Sequence, residues 1–192
     1  MQSLNDRLTF GKPTPVSDER LRELMLYIAA QSENDPGFGA TKLNKLLYFA
    51  DFFHFMEHGK SITGAQYMRL ENGPAPRKLK PIREKLVRDK RAAVRNAARG
   101  PWEQQRLVTL DEPDVDLFEP SELGYVNAII RQFWGASAKV MSRMSHGRPW
   151  LIAQDDKAPI PYEAGFISDD VPTDEDAALF RRLAREREWG TA

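Results

Sequence analysis

Three residues on one predicted helix have the spacing to hold a metal: Asp51, His54 and His58, at i, i+3 and i+7. That spacing puts them on one helical face, and a carboxylate beside two imidazoles is a donor set that zinc accepts. A metal-dependent hydrolase would need a further ligand or open position, and a general base. The only other histidine is His146. The simpler reading gives Asp51 a hydrogen bond to nearby backbone or an arginine, and places His58 as a favoured cation at a helix C-terminus. His146, followed by Pro149 and Trp150, offers a candidate base. More simply, it ends a helix and bonds a carbonyl while the tryptophan packs in the core. There is no Gly-x-Ser-x-Gly elbow and no phosphate-binding Gly-rich loop ending in Gly-Lys-Ser/Thr. The chain has no cysteine, which excludes disulfides, thiolate catalysis and cysteine-based zinc sites. We expect no catalytic residue, no metal and no cofactor.

The elements that would carry these residues follow from hydrophobic spacing. Ser17 or Asp18 can cap a helix over 18–33, with Leu21, Leu24, Met25 and Ile28 on one face. A loop over 33–39 precedes a helix over 41–58 that Gly59 stops. This second helix is apolar nearly all round, the pattern of a central helix. The segment 61–72 is strand-like, and Gly73, Pro74 and Pro76 predict a rigid, exposed turn. Pro81 opens a short helix to about Asp89, with Leu79, Ile82 and Leu86 inward. Segments 92–97 and 103–110 fit a β-hairpin around Gly100 and Pro101, with a helix over 92–98 as the alternative. Ser121 and Ser137 cap two further helices, to about Trp134 and His146, and 147–161 is irregular. A last amphipathic helix spans 173–189. The fold class is α+β: a mainly helical single domain with a small antiparallel sheet or hairpin. It divides into an N-terminal extension (1–16), the domain (17–165) and a C-terminal helical extension (166–192).

Charge is balanced overall, with 28 basic and 28 acidic residues, so no global field favours nucleic acid or membrane. Locally it is not. Residues 77–106 carry eleven Lys/Arg against three acids, and 111–122 carry six acids and no base. These are two opposed surfaces or one self-paired surface. A helix-helix-helix-hairpin order is also that of a winged helix, so DNA binding is an alternative, although no recognition helix rich in Gln, Asn and Arg is present. No apolar run approaches the roughly 18 residues that span a bilayer. With no signal-peptide core, the default is a soluble cytoplasmic protein.

Three segments in order resemble the Panacea domain of SocA-like antitoxins: Thr41-Lys42-Leu43-Asn44-Lys45-Leu46-Leu47-Tyr48-Phe49-Ala50-Asp51, then Gly59-Lys60-Ser61-Ile62-Thr63-Gly64 through Tyr67 to Glu71-Asn72-Gly73-Pro74, then Ser145-His146 leading to Pro149-Trp150. Ser61 stands where many members have proline. The resemblance covers about residues 20–165. It implies a non-catalytic protein, often prophage-borne, that binds and neutralises a cognate toxin protein. In the SocA-like branch it also implies a proteolytic adaptor that delivers the toxin to a AAA+ protease. Arg69, Glu71, Asn72, Arg77 and Arg83 are the residues expected near a protein-binding surface, presented by the Gly73–Pro76 turn.

Overall fold

The helix Ala40–His58 (α2) sits at the centre of the computed structural model, which describes residues 8–11, 14–99, 102–153, 155–167 and 178. Leu43, Leu46, Leu47, Phe49, Ala50 and Phe52 are all buried, so apolar residues point to more than one side of the helix. Such a helix cannot face water anywhere along its middle, and the other elements wrap it. Pro15–Gln31 (α1), Pro120–Gln132 (α4) and Ala138–Met144 (α5) pack directly on it. Gly59 ends α2 in the left-handed conformation (φ 72°), where its N–H donates to the Phe55 carbonyl.

The remaining elements cover its flanks. Leu79–Arg88 (α3) turns Ile82 and Leu86 inward. The hairpin of Ala92–Arg99 (β3) and Trp102–Thr109 (β4) pairs Ala92 with Thr109 through Arg99 with Trp102. The helix alternative for 92–98 is thereby excluded, and residues 100–101 lie outside the described residues. A second sheet, ordered β2-β1-β5, is built from three two-residue antiparallel strands: Tyr67–Met68 (β1), Ala75–Pro76 (β2) and Pro159–Ile160 (β5). A short helix, Arg148–Ile152 (α6), follows α5.

Several expectations are corrected. α1 starts at Pro15, because Thr14 is its cap and Ser17 completes a reciprocal capping box. α4 is likewise capped by Glu119, not Ser121, with Pro120 as its first residue. α3 begins at Leu79, ahead of Pro81. The segment 61–72 pairs as a strand only at Tyr67–Met68, and 147–161 contains α6 and β5. Gly73, Pro74, Ala75 and Pro76 are buried, not exposed. The predicted helix over 173–189 lies outside the described residues, apart from Ala178, which is helical.

Candidate functional site

α2 carries three charged groups into the interior, and each has a distinct environment. Lys42 and Asp35 are both fully buried and pair at 2.5 Å. The Lys42 ammonium also donates to the carbonyls of Phe133 (2.6 Å) and Ala136 (3.1 Å), tying the start of α2 to the end of α4. Asp51 accepts from the Thr63 amide (2.7 Å), the Thr63 hydroxyl (2.5 Å) and the Tyr67 hydroxyl (2.8 Å). Burial nevertheless raises its pKa above the usual carboxylate value. Its expected partner, nearby backbone, is therefore present. His54 lies on the same face of α2 but bonds the Lys60 carbonyl through Nδ1, with its ring 4.4 Å from that of His58. Among the described residues no group of three or more His, Asp or Glu is arranged to hold a metal.

Lys45 is the third buried charge. Its ammonium donates to the Pro74 carbonyl at 3.1 Å, and burial pushes its pKa down to about 7. Gly73 sits between Lys45 and Ser145 in a left-handed conformation (φ 97°). A Cβ there would lie 2.5 Å from both Lys45 Nζ and Ser145 Oγ, so this position requires glycine.

From Lys45 a seam of side-chain-to-carbonyl bonds runs along 70–74. Trp150 Nε1 donates to the Leu70 carbonyl (2.8 Å), His146 Nε2 bonds that of Glu71 (3.1 Å), and the Ser142 hydroxyl donates to that of Asn72 (2.9 Å). Ser142 lies on α5, His146 in the turn that follows it and Trp150 on α6, so the seam is assembled from two short helices and the turn between them. Arg69 closes the far end. Its guanidinium lies 3.7 Å from the centroid of the Trp150 ring and donates to the Trp150 (3.1 Å) and Ala153 (2.7 Å) carbonyls. The seam thus joins the α2 helix, the Gly73-Pro74 segment and the Ser145–Trp150 segment. As expected, His146 bonds a carbonyl, but α5 ends at Met144 with Ser145 as its cap, so His146 lies in the turn beyond the helix. Trp150 is half-buried rather than a core residue.

The five expected surface residues separate into three places. Arg69, Glu71 and Asn72 belong to the seam; the Arg69 side chain is turned into it, whereas Glu71 and Asn72 are exposed. Arg77 is exposed and donates to the Lys157 carbonyl at 2.9 Å. Arg83 is half-buried and lines a small cavity with Met25, Leu43, Val94 and Leu107, between α3 and the hairpin. The structure does not bring the five together.

Much of the basic run around them is paired within the chain. Arg91 binds Glu23 through both carboxylate oxygens and also binds Asp111 (2.8 Å). Lys78 pairs with Asp18 (2.6 Å), Lys80 with Glu84 (3.9 Å) and Lys85 with Asp89. Arg106 donates to the carbonyls of Ser32, Glu33 and Asp35.

The charge survey missed a second region. Residues 132–154 contain Lys139, Arg143 and Arg148 and no acid. On α5, Lys139 and Arg143 are exposed beside exposed Val140 and Met144, and Leu151 and Ile152 are exposed on α6. An open groove of about 430 Å³ runs between α5 and the seam, lined by Thr41, Asn72, Lys139, Ser142, Arg143 and His146. The signal available in the sequence was the absence of acids, which a count of bases does not register.

Compared with known proteins, residues 43–151 match the family described as antitoxin SocA-like, Panacea domain. No curated protein and no solved structure matches the chain.

Proposed function

Because this chain belongs to the SocA-like Panacea-domain antitoxin family, we propose that it is the antitoxin of a toxin–antitoxin pair and acts by binding and covering a toxin protein. The observation that carries this reading is the family match together with where its three segments meet. The Lys, Gly-Pro and Ser-His…Trp positions are spent on one internal seam that braces α5 and α6. Residues used in this way support a surface; they do not form a reaction centre. The groove above the seam is lined by no carboxylate, and its serine and histidine, Ser142 and His146, are each spent on a backbone carbonyl. Neutralisation is then steric, with the energy concentrated in a few anchors.

The test is co-expression of the chain with the product of its neighbouring gene. The expected results are restored growth and a complex that survives size-exclusion chromatography. Neither a complex nor rescue would sink the reading. Following the toxin's half-life in the same cells tests the adaptor role: a half-life shortened only when both the chain and an intact AAA+ protease are present supports delivery for degradation.

A further inference from the structure

We infer that the toxin docks on the α5–α6 face and presents there an acidic segment with interspersed apolar side chains. This rests on the toxin-binding reading above and specifies its surface. The chemistry follows from four observations. Lys139 and Arg143 lie four apart on α5, so they project from one side of it. Neither forms an ion pair among the described residues, whereas Lys78, Lys80, Lys85 and Arg91 on the basic run do; Arg88 and Lys90 of that run also form none there, but they flank the acid Asp89. Val140 and Met144 form a second i, i+4 pair beside them, 43% and 53% exposed, on a helix of seven residues whose buried residue is Met141. With no acid in 132–154, an anionic segment meets no like charge from α5 or α6 themselves; the exposed acids Glu71, Asp155 and Asp156 lie outside that stretch.

The seam narrows the mode of recognition. The carbonyls of Leu70, Glu71 and Asn72 are already bonded to Trp150, His146 and Ser142. They do not offer a free strand edge, so the partner is read by side chains: carboxylates at Lys139 and Arg143, apolar groups against Val140 and Met144. Glu71 is exposed at the rim, where its charge repels partner carboxylates, so these fall on the α5 side.

The chain carries two acidic-apolar stretches of its own, 110–119 and 163–180, so the chain itself, in the same or a second copy, is the alternative occupant. The first is already engaged. Asp111 binds Arg91, the Asp114 amide donates to Glu23, and Phe118 is buried under Arg20, whose guanidinium lies 4.7 Å from its ring centroid. In the second, Glu163 accepts from the Thr9 amide and Phe166 packs against Phe55, while residues 168–177 lie outside the described residues. The toxin is the occupant of this proposal; occupation by the chain's own second stretch would leave toxin affinity unchanged in the α5 variants below.

The experiment titrates the full-length chain with the toxin encoded beside it, by calorimetry at low and high salt. Four chains are compared: wild type, K139E/R143E, V140D/M144D and, on the α3 face, K80E/R88E. All the altered side chains are exposed, and thermal unfolding checks that each variant folds. Both α5 variants are expected to bind about tenfold or more weakly, with K139E/R143E also losing the salt dependence, while K80E/R88E binds as wild type. Unchanged toxin affinity in both α5 variants overturns this inference and leaves the toxin-binding reading standing. So does a wild-type dimer that K139E/R143E converts to monomer without weakening the toxin complex, since the occupant is then a second copy. Failure of the wild type to bind the toxin overturns the toxin-binding reading and this inference with it.

Discussion

The basic run 77–106 and the α5–α6 face carry charge of the same sign to opposite ends. The first has a net excess of eight positive charges in the sequence, yet the fold spends much of it internally: Arg91 on Glu23 and Asp111, Lys78 on Asp18, Arg106 on three loop carbonyls. The second has only three bases, but Lys139 and Arg143 stand beside exposed apolar groups without an ion pair among the described residues. The charge that can recognise a partner is what remains after the fold has taken its own pairs. Bridging pairs between elements do structural work, and a solvated base pairs cheaply with whatever arrives.

The sharpest way to break this contrast is at Glu23. Its carboxyl is buried. Burial alone would raise its pKa, but hydrogen bonds from Arg91, the Asp114 amide and Arg22 hold it below the usual value. Glu23→Ala removes one side of a buried pair and leaves Arg91 with Asp111 and the Glu112 carbonyl. The expected loss is about 3–5 kcal/mol in urea unfolding at pH 7. A depressed carboxylate contributes stability above its unfolded pKa and loses it as pH falls through the folded value. The variant should therefore also show a shallower decline of stability below about pH 5. A change under about 1 kcal/mol would mean that the basic run is held by something other than its pairs.

Trp150→Ala probes the other side of the contrast, the bracing of α5–α6. It removes the Nε1 bond to Leu70 and the surface on which Arg69 stacks. Because Trp150 is only half-buried, the expected loss is about 2 kcal/mol, below the range for fully buried aromatics. Toxin affinity should fall as well, since the face loses its support. A stable variant with full affinity would detach the seam from recognition.

Lys45→Met is read through pH. The folded-state pKa of Lys45 is about 7, against an unfolded value of 10.5. Between these values the unfolded chain binds the extra proton, so wild-type stability should rise with pH from about 7 to 9. The slope from this one group approaches about 1.4 kcal/mol per pH unit. The methionine variant removes that slope and is more stable than wild type near pH 6.5, where the buried cation is costly. Parallel curves for the two proteins would show that the lysine is solvated in solution.

These residues also mark where the sequence was legible. The apolar stripes on α1, α2 and α4 and the stop at Gly59 were readable, because burial of Leu, Ile and Phe at helical spacing has one outcome. The hairpin was readable from its two flanks and the Gly-Pro between them. Lys42, Lys45 and Glu23 were not, since a charged residue is ordinarily solvated and its burial depends on partners far away in the chain, such as Phe133, Pro74 and Arg91. Gly73–Pro76 was misread for the complementary reason. Glycine and proline signal a turn, and only the tertiary approach of Lys45 and Ser145 shows that the glycine makes room inside the protein. The motif positions of α2 were therefore legible as a family signature but not as a seam. The site expectations failed to converge because they followed the count of bases rather than their pairing.

The smallest effect belongs to Lys80→Gln. Lys80 and Glu84 are both exposed, 3.9 Å apart at i, i+4 on α3. The lysine precedes the glutamate, the less favourable order against the helix dipole. Such a pair contributes no more than a few tenths of a kcal/mol, and salt screens it further. Stability should be unchanged within about 0.3 kcal/mol, and toxin affinity unchanged. The null result has content because K139Q, which also removes one exposed lysine charge and no ion pair, should weaken the toxin complex and flatten its salt dependence. If Lys80→Gln weakened the complex as much as K139Q, the recognition surface would extend across α3. The distinction between paired and unpaired bases would then fail as a guide to where the partner sits.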